Sequence, residues 1–235
     1  RRYGQCGMPV SSLFPHVASC ADELAVIRSM TTKLSEHAQA HYFFHTSVPF
    51  TGHPSAGAWV SYGLGTENAN LPGFVVLVSS GVQPNGGTNS FGSGFLPSVY
   101  QGVQCRTTGE PILYVTNPKG INRDVRRRSL DALRRLNEFE FEQFGDPETQ
   151  ARISQYELAF RMQMSVPDVM DVTKESKHIQ EAYGVEPGKE SFANNCLLAR
   201  RLVERGVRYV QLFHYGWDMH GTASSNDLVT AMPKK

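Results

Sequence analysis

The stretch "VRYVQLFHYGWDMHGT", residues 207–222, places a carboxylate and an imidazole two positions apart, at Asp218 and His220. Carboxylate oxygen and neutral imidazole nitrogen are both good ligands for divalent cations such as Zn²⁺ and Mn²⁺. Two side chains cannot complete a metal site, and the same pair also suits the polar end of a strand. The spacing therefore leaves a metal site and a strand terminus as alternatives.

A second group of candidate residues is a row of histidines in "SEHAQAHYFFHTS". His37, His41 and His45 recur every four residues, so in a helix they share one face. Three imidazoles could bind a metal or an anion, or act as acids and bases near neutral pH. In the alternative interpretation, the aromatic residues 42–44 fill the core and the histidines face a polar cavity.

Several common chemical signatures are missing. The sequence has no GxSxG elbow, no GxxxxGK[ST] phosphate loop, no GxGxxG and no HExxH, and its four cysteines show no CxxC spacing. The formal net charge of +1 gives no electrostatic signal for nucleic acid. The arginines at 126–128, 134 and 135 are interpreted as a solvated helix face rather than a phosphate-binding patch.

The elements around Asp218 and His220 predict where they lie. Residues 73–80, "GFVVLVSS", form an unbroken apolar run typical of a strand buried on both faces. An amphipathic helix over 190–206 leads directly into another apolar strand over 207–213. This order predicts an α/β sheet, and such sheets bind ligands beyond the carboxyl ends of their strands.

The remaining segments are interpreted more coarsely. Residues 11–28 predict a helix running into a short strand, "LAVIRSM", and residues 81–102 predict a long loop. Two helices beginning near Asn122 and Asp146 are interpreted as an insertion or cover. No apolar run is long enough for a membrane span. Because residue 1 is Arg, we expect an internal piece of a longer polypeptide.

Longer motifs add a family resemblance. They include "GHPSAGAWVSYGLGTENANLPGFVVL", "YELAFRMQMSVPDVMDVTKE" and "CLLARRLVERGVRYVQLFHYGWDMHG". With these motifs the chain resembles, from about residue 7 to its end, the sulfatase-like family known as domain of unknown function 1501. That family is assigned to the alkaline-phosphatase-like superfamily.

The resemblance implies a single α/β domain over 1–235, with a mostly parallel sheet flanked by helices. The domain would be incomplete at both ends and would carry a helical insertion over about 122–165, extending to about 185. The implied activity is metal-dependent hydrolysis of phosphate or sulfate esters, on a small-molecule or polysaccharide substrate. A divalent metal, Zn, Mn or Ca, would be bound by Asp218 and His220, and the parent protein would be exported to the periplasm.

The sequence departs from the sulfatase pattern at the reacting centre. His37 falls where the resemblance implies the Cys or Ser nucleophile of the CxPSR pattern, and His41 falls where it implies the Arg. His37 could be a nucleophile, an acid or base, or a metal ligand. The departure also supports a second hypothesis, a non-catalytic exported binding or assembly protein that retains the hydrolase fold.

Overall fold

The computed structural model of the chain describes residues 1–79, 81–112 and 116–231. These residues fall into two units, one formed by residues 1–33 with the segment from 216 onward, and the other by residues 34–215. The expectation of a single domain over 1–235 stays a prediction.

The smaller unit contains short elements. β1 (Arg2–Tyr3) pairs antiparallel with β2 (Met8–Pro9), and α1 (Pro15–Ser19) follows. The loop between the strands is fixed by Asp22, whose carboxylate accepts the backbone N–H groups of residues 5 and 6, each at 2.8 Å. The predicted strand over residues 24–30 is wrong. That segment is irregular, because none of the described strands pairs with it, and its apolar side chains are exposed.

A three-stranded parallel sheet organises the larger unit. Its strands are β3 (Phe74–Ser79), β4 (Val103–Cys105) and β5 (Tyr209–His214), in the order β4-β3-β5. The predicted α/β class and the two predicted strands are confirmed. β4 lies just beyond the predicted loop, and the sequence interpretation missed it because a three-residue strand carries almost no periodic signal.

Six helices accompany this sheet among the described residues: α2 (His37–Thr46), α3 (Ala56–Leu64), α4 (Arg123–Phe144), α5 (Pro147–Met170), α6 (Lys177–Tyr183) and α7 (Phe192–Glu204). Most begin at a side chain that accepts a free backbone N–H group, including Ser55, Asn122, Asp146 and Ser191. The helices predicted from Asn122 and Asp146 are confirmed, and their status as an insertion stays a prediction.

The side chains of β3 alternate between two apolar clusters. Val75 and Leu77 pack against buried residues of α5 and α7 on one face. Phe74, Val76 and Val78 form a second cluster on the other face. Every residue of β3 is buried, so an apolar run without polar alternation is what this position requires.

Contacts within the α4–α5 hairpin account for two arginines of the predicted cluster. Arg127 forms a two-pronged pair with Glu157, with N–O distances of 2.6 and 2.9 Å. Arg134 lies near Asp131 and Glu138 on its own helix. These contacts account for two of the arginines as parts of the hairpin surface. No helix within the described ranges is long and apolar enough to cross a membrane.

Candidate functional site

The carboxyl edge of the sheet brings a serine and a histidine together. Ser79 and His214 are the last residues of β3 and β5 and lie opposite each other in the sheet register. Ser79 Oγ lies 2.7 Å from His214 Nδ1 and donates to the carbonyl of Phe213 at 3.2 Å. The direction of the Ser79–His214 hydrogen bond depends on which ring nitrogen of His214 carries the proton.

The complete burial of Ser79 excludes a role as a nucleophile in this arrangement. Ser79 has 0% of its surface exposed, so its hydroxyl cannot reach a substrate and does not serve as a nucleophile in this arrangement. It instead fixes the orientation of the His214 ring, which also packs against the ring of Phe192 at 5.2 Å. A held imidazole at the carboxyl edge of a parallel sheet is positioned where α/β proteins place their ligands.

A polar cleft of about 260 Å³ opens at the carboxyl ends of β3 and β4. In its wall, the amide of Gln83 donates to Gln104 at 3.3 Å, and the carboxylate of Glu190 accepts the N–H of Gly81 at 3.0 Å. Arg106 adds a positive charge to the same lining. The cleft therefore offers amide groups and charges of both signs to a polar ligand.

The predicted histidine row lies on α2. His37 is the exposed first residue, while His41 and His45 are half-buried with ring centroids 6.0 Å apart. His45 Nδ1 lies 3.3 Å from the amide nitrogen of Gln211 on β5. The alternative interpretation, in which residues 42–44 fill the core, is wrong for Phe43 and Phe44, because both rings are exposed. No residue of α2 is completely buried.

Burial also sets the charge of this row. Desolvation lowers the pKa of His45 to about 4, with a smaller contribution from nearby His41. Burial first, and then the neighbouring His37, lowers the pKa of His41. Both imidazoles are therefore neutral at pH 7, which disfavours anion binding by these two and leaves them available as bases or ligands.

The predicted metal ligands lie in the smaller unit. Asp218 Oδ2 and His220 Nε2 are 2.9 Å apart, and both side chains are more than half exposed. The loop that carries them is closed by Asn226, whose side chain accepts the backbone N–H of His220 at 3.0 Å. His37 and His41 belong to the larger unit.

The geometry of this pair can be tested against a metal site. Two donors bound to one tetrahedral cation at about 2.1 Å lie about 3.4 Å from each other, whereas the Asp218–His220 separation of 2.9 Å is that of a direct contact between an imidazole and a carboxylate. The pair supplies two donor groups of suitable chemistry for a coordination sphere. Among the described residues, however, no group of three or more His, Cys, Asp or Glu side chains could hold a metal ion. A complete site needs donors beyond this pair.

Sequence reasoning missed Ser79 and His214. The available signal was a polar residue at the carboxyl end of each apolar run, Ser79 in one and His214 directly after the other. Parallel strands in register bring their carboxyl ends to one edge of the sheet, so these two residues become neighbours. The interpretation passed over His214 in favour of Asp218 and His220 a few residues later.

Comparison with known proteins assigns the chain to a family. The family described as "Protein of unknown function (DUF1501)" matches residues 1–232, nearly the whole sequence. No curated protein matches the chain. No solved structure matches it either. The chain therefore belongs to the DUF1501 family of proteins of unknown function.

Proposed function

We propose that the chain is part of a metal-dependent hydrolase of phosphate or sulfate esters with an alkaline-phosphatase-like fold. Asp218 and His220 are two of the metal ligands in this proposal. The observation that carries it is the pairing of Asp218 and His220, which stand side by side on an exposed loop. A carboxylate and an imidazole are the donor types that Zn and Mn prefer.

Two further features support the proposal without testing it. The parallel sheet with helices agrees with the α/β architecture that the superfamily implies. The exposure of both donors leaves room for additional ligands and for a substrate oxygen. When bound, a divalent metal would polarise the ester oxygen and offset the negative charge that develops on it.

The roles of the remaining residues follow from the resemblance alone. His37 is proposed at the reacting centre, as a nucleophile, an acid or base, or a further ligand, and His41 is its companion. His41 is neutral near pH 7 because its pKa is lowered, which suits a base more than an anion-binding cation. Export to the periplasm also remains a proposal.

The test is metal binding by the purified full chain with Zn²⁺, Mn²⁺ and Ca²⁺ added separately. We expect stoichiometric binding of at least one of them, measured by calorimetry and by elemental analysis. The Asp218→Asn, His220→Gln double variant removes both proposed donors, so its affinity should fall at least about tenfold. Adding EDTA should release the metal from the parent chain.

The matched control is the Asp124→Asn, His178→Gln double variant, which makes the same chemical changes at exposed positions on α4 and α6. It should retain the parent's metal affinity. Equal metal content in the parent and in the Asp218→Asn, His220→Gln variant would exclude these side chains as ligands.

The second candidate function is a non-catalytic binding or assembly protein with the same fold. The observation that favours it is the histidine at position 37, where a sulfatase carries Cys or Ser. Aryl phosphate and aryl sulfate, offered with each metal, discriminate the two. Turnover that disappears in His37→Ala supports the hydrolase, whereas metal binding without turnover supports the binding protein.

A further inference from the structure

A row of exposed aromatic rings lies on the larger unit. Phe50, Trp59, Tyr62 and Phe95 are each between 45% and 64% exposed. Large aromatic side chains usually bury most of their surface. Four together therefore mark a binding surface more strongly than one exposed ring would.

These rings are in mutual contact. Trp59 meets Phe95 at 5.8 Å and Tyr62 at 6.0 Å between centroids, all edge to face. His53 extends the row by contacting Phe50 at 5.7 Å and Phe95 at 5.9 Å. We call these five residues, Phe50, His53, Trp59, Tyr62 and Phe95, the aromatic surface. Edge-to-face contacts fix the rings relative to one another before any ligand arrives.

The backbone beneath the aromatic surface is closely packed. Trp59 and Tyr62 are three positions apart on α3, so they project from one side of that helix. Gly94 has a φ of +55°, and a Cβ there would come within 2.3 Å of the carbonyl carbon of His53. The residue before Phe95 is thus pressed against the 52–54 segment, which holds Phe95 beside His53.

A polar cavity adjoins these rings. It has a volume of about 600 Å³, and His53 belongs both to its wall and to the aromatic surface. Its polar lining consists of amide and hydroxyl groups, notably those of Thr88, Asn89, Gln101 and Gln104. No Asp, Glu, Lys or Arg is among the described residues that line it. Such a lining matches a ligand with many hydroxyl groups and no charge.

We propose that the aromatic surface and the adjoining cavity bind a neutral carbohydrate chain. The C–H bonds on the face of a pyranose carry partial positive charge and are attracted to the negative face of an aromatic ring. Amide side chains satisfy sugar hydroxyls in both donor and acceptor roles. This inference does not depend on the metal site, because Asp218 and His220 take no part in it.

The first experiment is affinity electrophoresis of the full chain in gels containing neutral β-glucan, xylan, mannan or galactan. We expect at least one of these polysaccharides to retard the protein, and dextran sulfate to retard it less. Trp59→Ala and Phe95→Ala should each abolish the retardation. Gln101→Leu, an exposed cavity residue, should weaken it with little effect on folding.

The matched control is Phe139→Ala, which removes an equally exposed ring, 65% exposed, from α4. It should keep the parent's retardation. A second measurement, tryptophan fluorescence, leaves the aromatic surface unchanged. The chain has two tryptophans, so in Trp217→Phe the fluorescence of Trp59 alone should change on adding oligosaccharides of the retarding polysaccharide.

Three outcomes would overturn the proposal. One is no retardation by any of the four neutral polysaccharides, or retardation that survives in Trp59→Ala. Another is stronger retardation by dextran sulfate than by the neutral chains. The third is concentration-dependent self-association in sedimentation velocity that Trp59→Ala abolishes, which would make the aromatic surface an interface between copies of the chain. Loss of metal binding in the Asp218→Asn, His220→Gln variant should leave the retardation unchanged.

Discussion

His45 shows how strongly a partly buried position alters a single side chain. Its ring packs edge to face against Phe213 at 5.4 Å and against His41, and its Nδ1 faces the amide of Gln211. Burial lowers its pKa from 6.5 to about 4. The unfolded chain therefore binds a proton at His45 between these two pH values, while the folded chain does not.

This difference predicts a pH-dependent stability. The contribution of His45 is fully present above pH 6.5 and is lost as the pH falls toward 4. Allowing for solvent screening of a partly exposed ring, the free energy of unfolding should fall by about 2 kcal/mol across that window. Urea denaturation at pH 7.5 and pH 4.5 measures it.

The variant His45→Gln isolates the effect, because it removes the titrating group and keeps a polar side chain. Its stability loss between the two pH values should be smaller than the parent's by about 2 kcal/mol. The control His178→Gln changes an exposed histidine on α6 and should keep the parent's pH dependence. An identical pH dependence in the parent and His45→Gln would contradict the assignment.

At the scale of elements, one buried arginine connects α7 with the end of α5. Arg201 is 3% exposed and donates to the carbonyls of Val169 and Asp168 at 2.8 and 3.1 Å. It also pairs with the carboxylate of Glu175, beyond the end of α5. The guanidinium thus satisfies carbonyls that the helix end leaves free.

We predict that Arg201→Met destabilises the chain by about 3–5 kcal/mol, because it leaves the Glu175 carboxylate and two carbonyls without their donor. The neighbouring Arg200 supplies the control. It forms a solvent-screened pair with Glu204 at 2.7 Å, so Arg200→Met should lower the stability far less than Arg201→Met. Thermal unfolding of both variants compares them, and equal losses would contradict the role of Arg201.

The elements that could be predicted are those with a long pattern or a clear cap. The apolar run of β3 and the capped helices α4, α5 and α7 were readable in this way. The segment 24–30 has the composition of a strand, but a strand also needs a neighbour to accept its backbone hydrogen bonds. Which segment supplies that neighbour is a tertiary property that composition does not encode.

For the whole molecule, the four cysteine thiols differ in their exposure to solvent. Cys6 and Cys20 are exposed, whereas Cys105 is buried on β4 and Cys196 is partly buried on α7. Burial raises the pKa of Cys105 to about 12 and also raises the pKa of Cys196. Only the thiolate reacts readily with disulfide reagents.

We therefore predict that Cys105 in the folded chain reacts with Ellman's reagent at pH 8 at least about 100-fold more slowly than Cys6 and Cys20. Peptide mapping after timed labelling measures each rate. In denaturant, all four thiols should react at similar rates. Fast labelling of Cys105 without denaturant would show that the β4 edge of the sheet is open.

At this same scale, the candidate site was only partly predictable. Asp218 and His220 could be named because they stand two positions apart in the sequence, and the structure brings their donor atoms together. Ser79 and His214 are 135 positions apart, and only strand register makes them neighbours. The aromatic surface likewise combines residues from α3 and two loops, so no short window of sequence contains it.

The central place of β3 also bears on how the chain is made. β5, which covers one edge of β3, is synthesised more than a hundred residues later. Until the ribosome has released residues 209–214, a strand with five consecutive apolar residues has an unpaired edge toward other nascent chains. Such edges are templates for aggregation. The long delay between two adjacent strands therefore makes this segment prone to aggregation during synthesis.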